Sequence, residues 1–103
     1  MGVEFKQFMI RHIVFFSAKN HADVETIIRT LSGYAKIPGV QNLEIGRNRK
    51  VDGLANDVDI ILHACFESEE ALAAYKAHPI YIDGTTKVRP LRELRIAADY
   101  LTP

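Results

Sequence analysis

The segment that does most to decide the fold is Tyr75-Lys76-Ala77-His78-Pro79-Ile80-Tyr81. Proline has no backbone N–H and its ring clashes with the preceding helical turn, so a helix that contains Tyr75 has to end near His78. Two phenols and one imidazole then lie where an apolar cap would normally cover a core. The segment therefore predicts a helix end with a polar, partly titratable surface.

The residues before this segment predict a strand followed by the start of the helix. Ser68 is an N-cap residue, and Glu69 and Glu70 follow in the first turn, where carboxylates are favourable. Residues 58–67 alternate between a mixed face and a wholly apolar one, formed by Val58, Ile60, Leu62, Ala64 and Phe66. This alternation predicts a strand with helices on its apolar face and a more polar environment on the other.

The residues after Pro79 predict less regular structure. Residues 80–88 are expected to form a short irregular helix that Gly84 interrupts, with Tyr81 outside regular structure. Beyond Pro90 a last strand is predicted, in which Arg95 and Asp99 alternate with Leu94, Ile96, Ala98 and Tyr100.

The first half of the chain predicts two further strands and one helix. Residues 8–16 are rich in aromatic and β-branched side chains and are largely apolar on both faces, which predicts a central strand. Asn20 is placed to cap a helix whose apolar stripe is Val24, Ile27, Ile28 and Leu31. The helix ends at Ile37-Pro38-Gly39, and residues 40–48 predict a strand with one side formed by Gln41, Leu43, Ile45 and Arg47.

The predicted order of elements is strand, helix, strand, strand, helix, strand. This order fits an α+β fold of the ferredoxin-like type, with a four-stranded antiparallel sheet and its helices on one face. The other face carries enough apolar area to favour self-association, so a two-fold homodimer is expected. We expect one domain over residues 9–103, preceded by an N-terminal extension over residues 1–8.

The composition argues against several classes of partner. The chain has 13 basic and 13 acidic residues, and this zero formal charge argues against nucleic acid or anionic membranes as partners. Cys65 is the one cysteine, so an intrachain disulfide and a cysteine-rich metal site are excluded, and a small buried side chain is expected there. No apolar run approaches the roughly 18 residues of a membrane span, and the expected location is cytoplasmic. No phosphate-binding loop, dinucleotide glycine motif or serine-nucleophile motif is present, and no cofactor is expected.

Four side chains are candidates for a site, and each also has a purely structural interpretation. His78 precedes a proline at a helix C-terminus, where an imidazole either caps the exposed carbonyls or serves as a catalytic or ligand-binding group. His12 lies among apolar neighbours and needs a hydrogen-bonding partner, so it is either a satisfied wall histidine or a base. Tyr75 is either a core residue with a bonded hydroxyl or an acid, and Tyr81 is a candidate for lining a cavity mouth.

Two further groups favour structural roles. His63 shares a predicted strand face with Asp59 and Glu67. Strand neighbours two apart lie about 7 Å from each other and no second histidine is in register, so a hydrogen-bonded polar row at the dimer interface is favoured over a metal site. The basic residues between positions 47 and 50 have acidic neighbours, which favours a solvated loop over a phosphate site.

Taken in order, four parts of the chain resemble the stress-responsive A/B barrel family, one of the dimeric α+β barrels. They are residues 9–14 (MIRHIV), residues 37–40 (IPGV), residues 66–68 leading into 75–79, and Asp99-Tyr100. The resemblance covers about Met9 to Tyr100. It implies a homodimer whose sheets join into a barrel, with a cavity between each sheet and its helices.

The resemblance also suggests roles for individual residues. A plant branch with this fold cyclises linear polyketides, using a tyrosine and a histidine as acid and base. By position, that tyrosine matches Tyr75 and the first-strand cavity histidine matches His12, whereas the catalytic histidine falls on Tyr81. A phenol, with an ordinary pKa near 10, is a poorer base at neutral pH than an imidazole near 6.5, so the same cyclisation route is not implied here.

Three functions stay open from the sequence. The first is binding of a small apolar or aromatic molecule in the cavity, by His12, Tyr75, His78 and Tyr81. The second is cofactor-free catalysis, cyclase- or monooxygenase-like, with His12 or His78 as base and Tyr75 as acid. The third is a non-enzymatic, stress-associated structural dimer, which predicts a filled core without a pocket.

Overall fold

The computed structural model describes residues 8–54 and 57–103. The predicted extension over residues 1–8 lies outside these ranges apart from Phe8. Within them the chain forms four strands and three α-helices: β1 (Ile10–Ala18), α1 (Val24–Ser32), β2 (Gln41–Arg47), β3 (Ile60–Phe66), α2 (Glu69–Ala77), α3 (Pro79–Val88) and β4 (Arg92–Leu101). Short 3₁₀ turns over His21–Asp23 and Gly33–Lys36 lie on either side of α1.

The four strands form one antiparallel sheet in the order β2-β3-β1-β4. β1 is central, as its apolar residues on both faces predict, and the ferredoxin-like α+β fold is confirmed. In this register His12 lies opposite Ala64 on one side and opposite Asp99 on the other. The topology thus brings residues 87 positions apart in the chain side by side.

The core lies between one face of the sheet and the helices. β1 and β3 bury alternate residues on this face, as their period-2 pattern predicts: Ile10, Val14, Phe16, Ile60, Leu62, Ala64 and Phe66. Of the predicted stripe, α1 buries Val24, Ile27 and Leu31 against them and Ile28 is partly buried. α2 buries Leu72 and Tyr75. The core-facing side of the sheet therefore holds His12 among large apolar side chains.

The junction between α2 and α3 follows from Pro79. Ser68 caps α2, because its Oγ accepts a hydrogen bond from the N–H of Ala71 at 3.1 Å. α2 ends at Ala77, and His78 adopts an extended conformation (φ −70°, ψ 141°). Pro79 then takes the first position of α3, where its missing N–H costs nothing. The proline both ends one helix and begins the next.

α3 differs from the prediction, because it runs without interruption through Gly84 and includes Tyr81. Gly84 is needed for packing and not for a break in the helix. A Cβ at this position would lie 2.5 Å from Cε1 of Tyr34 and 2.8 Å from its hydroxyl oxygen. The absence of a side chain therefore lets the Tyr34 ring lie directly against the helix.

β2 also differs from the prediction at its first residue. Asn42 has a φ of 51°, and the register between β2 and β3 shifts between Gln41 and Glu44. Gln41 lies opposite Cys65 and Glu44 opposite His63. Between these pairs β2 has one residue more than β3, which is a β-bulge. The prediction that Gln41 shares a face with Leu43 is wrong, because this bulge turns Gln41 to the opposite face.

The sheet face without helices, here called the open face, carries exposed apolar side chains. Phe15 is 39% exposed, and Ile96 lies opposite it on β4 and is 53% exposed. Tyr100 is 44% exposed and accepts a hydrogen bond from Arg11 at 2.9 Å. In the described part of the chain, no helix is long and apolar enough to cross a membrane.

Candidate functional site

A small cavity lies between the core-facing side of the sheet and the helices α1, α2 and α3. Its volume is about 20 Å³, room for one or two water molecules. This sheet–helix cavity is lined by His12, Val14, Phe16, Leu31, Tyr34, Leu62, Tyr75, Tyr81, Thr85, Val88, Arg92 and Arg95. The wall is thus mainly apolar and aromatic, with a few polar groups, as is usual for small-molecule sites.

His12 is the most deeply buried polar residue of this wall. Only 1% of its surface is exposed, and its Nδ1 lies 2.5 Å from Oδ1 of Asp99 on the neighbouring strand. A carboxylate only accepts hydrogen bonds, so Nδ1 carries the proton and donates it to this bond. Nε2 is then the unprotonated nitrogen of a neutral ring, and Asp99 fixes both its tautomer and its orientation.

Burial decides the charge of His12. Removal from water lowers the pKa of His12 below its ordinary value, and this effect outweighs the Asp99 carboxylate, which acts to raise the pKa. The imidazole is therefore neutral at neutral pH. A neutral ring with a free Nε2 can accept a hydrogen bond or take up a proton.

The Tyr75 hydroxyl is the second polar group at the cavity. Tyr75 is 1% exposed, and burial raises the pKa of its phenol well above the ordinary range, so the hydroxyl stays protonated. Its ring is inclined by 72° to that of His12 and by 84° to that of Tyr34, with centroids 6.2 Å and 5.8 Å away. The Tyr75 hydroxyl forms no hydrogen bond with any residue in the described ranges.

The unpaired groups of His12 and Tyr75 face the cavity. Among the residues described, every buried side-chain nitrogen or oxygen that is sealed from open space has a hydrogen-bond partner. His12 Nε2 and the Tyr75 hydroxyl have none there, so each of them borders open space, and the cavity is the space that both residues line. An acceptor and a donor are thus presented to whatever occupies it.

Tyr34 and Tyr81 complete an aromatic cluster around Tyr75. The Tyr81 ring centroid lies 4.9 Å from that of Tyr75 and 5.3 Å from that of Tyr34. The Tyr34 hydroxyl lies 3.3 Å from Oγ1 of Thr85, and burial raises the pKa of this phenol. Tyr81 and Thr85 are only partly buried, whereas Tyr34 and Tyr75 are almost completely so. Tyr81 therefore lies on the side of the cavity nearer to solvent.

His78 is not part of the cavity lining. Its Nδ1 accepts a hydrogen bond from the N–H of Ile80 at 3.1 Å, which makes His78 the N-cap of α3. The predicted cap on the last carbonyls of α2 is therefore wrong. The ring instead acts as an acceptor, because Pro79 starts a new helix whose first N–H groups need partners.

The remaining candidate groups have structural partners. Lys50 Nζ lies 2.5 Å from Oδ1 of Asp59, whose Oδ2 accepts from the N–H of Ala18 at 2.9 Å. Burial acts to raise the pKa of Asp59, but these two hydrogen bonds outweigh it and lower the pKa. Arg47 pairs with Glu25. Over residues 8–54 and 57–103, no three His, Cys, Asp or Glu side chains gather as a metal site.

Several polar residues of the site were not among the sequence candidates: Tyr34, Thr85, Arg92 and Arg95 line the cavity, and Asp99 bonds to His12. In the predicted fold the first and last strands are antiparallel neighbours. If their register were known, Asp99 could be paired with His12. Arg95 lies on the same face of β4 as Asp99, four residues away, and follows from the same register. No sequence pattern places Tyr34 at the cavity, because its position depends on how α3 packs against it.

The chain has relatives in both sequence and structure. The sequence profile of the Stress responsive A/B Barrel Domain family matches residues 10–102. The stress-response A/B barrel domain-containing protein HS1 of Arabidopsis thaliana is 28% identical over 81 residues, which cover 75% of this chain and 74% of that protein.

Solved structures from several organisms share the fold. A dimeric ferredoxin-like protein of unknown function from Thermobifida fusca is 26% identical, with a TM-score of 0.80, and the match covers 98% of this chain and 97% of that one. The hydroxynitrile lyase of Passiflora edulis has a TM-score of 0.82 over 95% of this chain and 96% of its own. Its identity is 18%, so that likeness concerns the fold alone.

Proposed function

Because this chain belongs to the stress-responsive A/B barrel domain family, we propose that it is a homodimer that binds a small apolar or aromatic molecule in the sheet–helix cavity. The observation that carries this proposal is the presence of two unpaired polar groups, His12 Nε2 and the Tyr75 hydroxyl, in a mainly apolar and aromatic wall. A ligand that offers one donor and one acceptor would satisfy both groups. Their desolvation in a dry cavity would otherwise be unfavourable.

The open face supports the homodimer. Phe15, Ile96 and Tyr100 expose apolar surface on a sheet that has helices on only one side. A second copy of the same face would cover this surface, and the related Thermobifida fusca protein is described as dimeric. A cytoplasmic location belongs to the same proposal, since Cys65, the chain's one cysteine, offers no intrachain disulfide for an oxidising compartment.

The first test of binding is whether the purified protein already carries a ligand. Native mass spectrometry of freshly purified protein, followed by analysis of any released compound, should find a dimer with extra mass. A dimer without extra mass that also fails to take up any added aromatic compound would favour the structural interpretation. A monomer would contradict the assembly.

Cofactor-free proton transfer is the second candidate function, and the His12–Asp99 pair favours it. A neutral imidazole whose tautomer is held by a carboxylate is the arrangement that general bases use. Nε2 would take a proton from the carbon next to a carbonyl group of the ligand, and the electron pair would move onto the carbonyl oxygen. The Tyr75 hydroxyl would then hydrogen-bond that oxygen.

Substitution of Tyr75 separates binding from catalysis. Tyr75→Phe removes a hydroxyl that has no protein partner in the described ranges, so the fold should keep its stability. If Tyr75 acts as the acid, this change should lower turnover more than ligand affinity. An equal loss of both would exclude the acid role and leave the binding function.

The two histidines provide a matched comparison. His12→Gln keeps a donor for Asp99 but removes the base, so it should abolish proton transfer, measured as exchange of a ligand C–H proton with solvent. His21 is exposed in the turn before α1, and His21→Gln should have no effect. Exchange that survives His12→Gln would contradict the role of His12.

A further inference from the structure

Two arginines of β4 line the cavity and lack acidic partners. Arg92 and Arg95 both belong to its wall, and that wall contains no carboxylate. Their guanidinium groups form no ion pair and no hydrogen bond with any side chain in the described parts of the chain. The cavity wall therefore carries two cations and no anion.

The arginines lie at one end of the cavity and His12 at the other. Residues 95, 97 and 99 share one face of β4, and the Cα atoms of Arg95 and Asp99 are about 13 Å apart for an extended strand. Arg95 lies opposite Phe16, and Asp99 lies opposite His12. The positive charge of Arg95 also acts to lower the pKa of both His12 and Tyr75, so its field extends across the cavity.

The arginines also lie at the mouth of the cavity. The lining residues that are only partly buried are Tyr81, Thr85, Arg92 and Arg95, whereas all the others are buried. With about 20 Å³ of free volume, a ligand larger than a few atoms has to move side chains aside, and these partly exposed ones are the least restrained. A ligand that enters from this side therefore meets two cations first.

We propose that the ligand of the sheet–helix cavity is a small organic carboxylate, whose anionic group lies between Arg92 and Arg95 and whose apolar or aromatic part contacts Tyr75 and Tyr81. The planar guanidinium group forms paired hydrogen bonds with a carboxylate, and it does so more strongly than with a neutral oxygen. The aromatic rings supply apolar contact next to this anchor. This assignment rests on the proposed function and narrows it to anionic ligands.

The test compares an anion with a neutral compound of nearly the same shape. Titration of ¹⁵N-labelled protein with benzoate and with benzamide, followed by NMR, should show benzoate binding at least about tenfold more tightly, the effect of one charge-assisted hydrogen bond. The shifted signals should include those of His12 and Tyr75. This comparison uses the unaltered protein and does not depend on how a variant folds.

Charge variants then locate the anion. Arg95→Gln and Arg92→Gln should each weaken benzoate binding about tenfold and should weaken benzamide binding much less. Arg49 is exposed in the loop after β2, so Arg49→Gln makes the same change of charge away from the cavity and should have no effect.

The outcomes separate this inference from the proposed function. Equal affinity for benzoate and benzamide, with shifts at His12 and Tyr75, would overturn the carboxylate assignment and leave cavity binding in place. No binding of either compound would overturn both. Benzoate binding that weakens as much in Arg49→Gln as in Arg95→Gln would show a diffuse charge effect and would also overturn the assignment.

Discussion

A buried histidine needs a hydrogen-bond partner, and His12 finds one in Asp99. Asp99 is partly exposed, with 38% of its side chain in contact with solvent, so the carboxylate remains hydrated while it orients the imidazole. Burial keeps the proton off Nε2, and the carboxylate holds the other proton on Nδ1. At the scale of single residues, this pair sets the chemistry that the cavity can offer.

The lowered pKa of His12 predicts how stability depends on pH. In the unfolded chain the pKa returns to its ordinary value of 6.5, above that of the folded protein, so the unfolded chain takes up a proton first as pH falls. The free energy of unfolding should therefore keep its full value above about pH 6.5. It should decrease at lower pH until His12 of the folded protein is protonated as well. Urea unfolding at neutral and at mildly acidic pH measures this difference.

His12→Gln provides the comparison for this pH effect. The variant lacks the titrating group but keeps a donor for Asp99, so the decrease in stability between the two pH values should become smaller. His21→Gln, at an exposed turn, should retain the full decrease. A decrease that is the same in all three proteins would contradict the assignment of the acid effect to His12.

At the scale of secondary-structure elements, α3 is positioned by Pro79 at its start and by Gly84 in its middle. His78 caps the first turn, and the Tyr34 ring occupies the space that a side chain at position 84 would need. This close approach holds Tyr34 against Tyr81 and so forms one wall of the cavity. The local geometry of α3 therefore determines the shape of the site.

Substitution of Gly84 tests this packing. In Gly84→Ala the new Cβ would collide with the Tyr34 ring, which is 2% exposed and held between neighbouring rings, so the protein should lose about 1–3 kcal/mol of stability. Gly33 is the control, because nothing lies within 4 Å of its Cβ position and its φ is −62°. Gly33→Ala should stabilise by about 0.4–1 kcal/mol, through the unfolded chain. Thermal unfolding of both variants distinguishes the two effects, and an unchanged Gly84→Ala protein would contradict the packing account.

At the scale of the whole molecule, the two faces of the sheet have different proposed roles. Its core-facing side holds the cavity, and its open face exposes Phe15, Ile96 and Tyr100 for a second copy. β4 contributes to both, because Arg95 lines the cavity and Asp99 bonds to His12, while Ile96 and Tyr100 belong to the open face. Formation of the proposed dimer and of the candidate site would therefore depend on the same strand.

A charge on the open face should prevent dimer formation. Ile96→Glu would place a carboxylate in the proposed interface without a partner, which is unfavourable by several kcal/mol when buried, so the variant should be monomeric. Leu54→Glu introduces the same charge at a residue that is 99% exposed in a loop, and this variant should remain dimeric. Sedimentation velocity compares the two, and a dimer of equal strength in both would contradict an interface on the open face.

The sequence was sufficient for features that depend on local patterns. The alternation in β1 and β3, the cap at Ser68 and the break at Pro79 each follow from neighbouring residues, and all are confirmed. Asn20 caps the 3₁₀ turn over His21–Asp23 and not α1, whose N-cap is Asp23. Features that depend on contacts between distant segments could not be predicted from such local patterns. The path of α3 through Gly84 depends on Tyr34, and the bulge in β2 depends on a positive φ at Asn42, which the pattern does not reveal.

The candidate site was predicted in part for the same reason. His12, Tyr75 and Tyr81 come together at the cavity, while His78 lies outside its lining. The pairing of His12 with Asp99 required a strand register that alternation alone does not fix, since a shift by two residues keeps every side chain on its face.

The protonation of the His12 ring tests the central claim most directly, because both proposed functions require a free nitrogen at the cavity. Heteronuclear NMR of the histidine side-chain nitrogens at neutral pH distinguishes the two tautomers and the charged form. We expect His12 to be neutral, with its proton on Nδ1 and none on Nε2, and to take up a second proton only below the pH at which an unstructured histidine peptide does. A proton on Nε2, or a charged ring at neutral pH, would contradict the account.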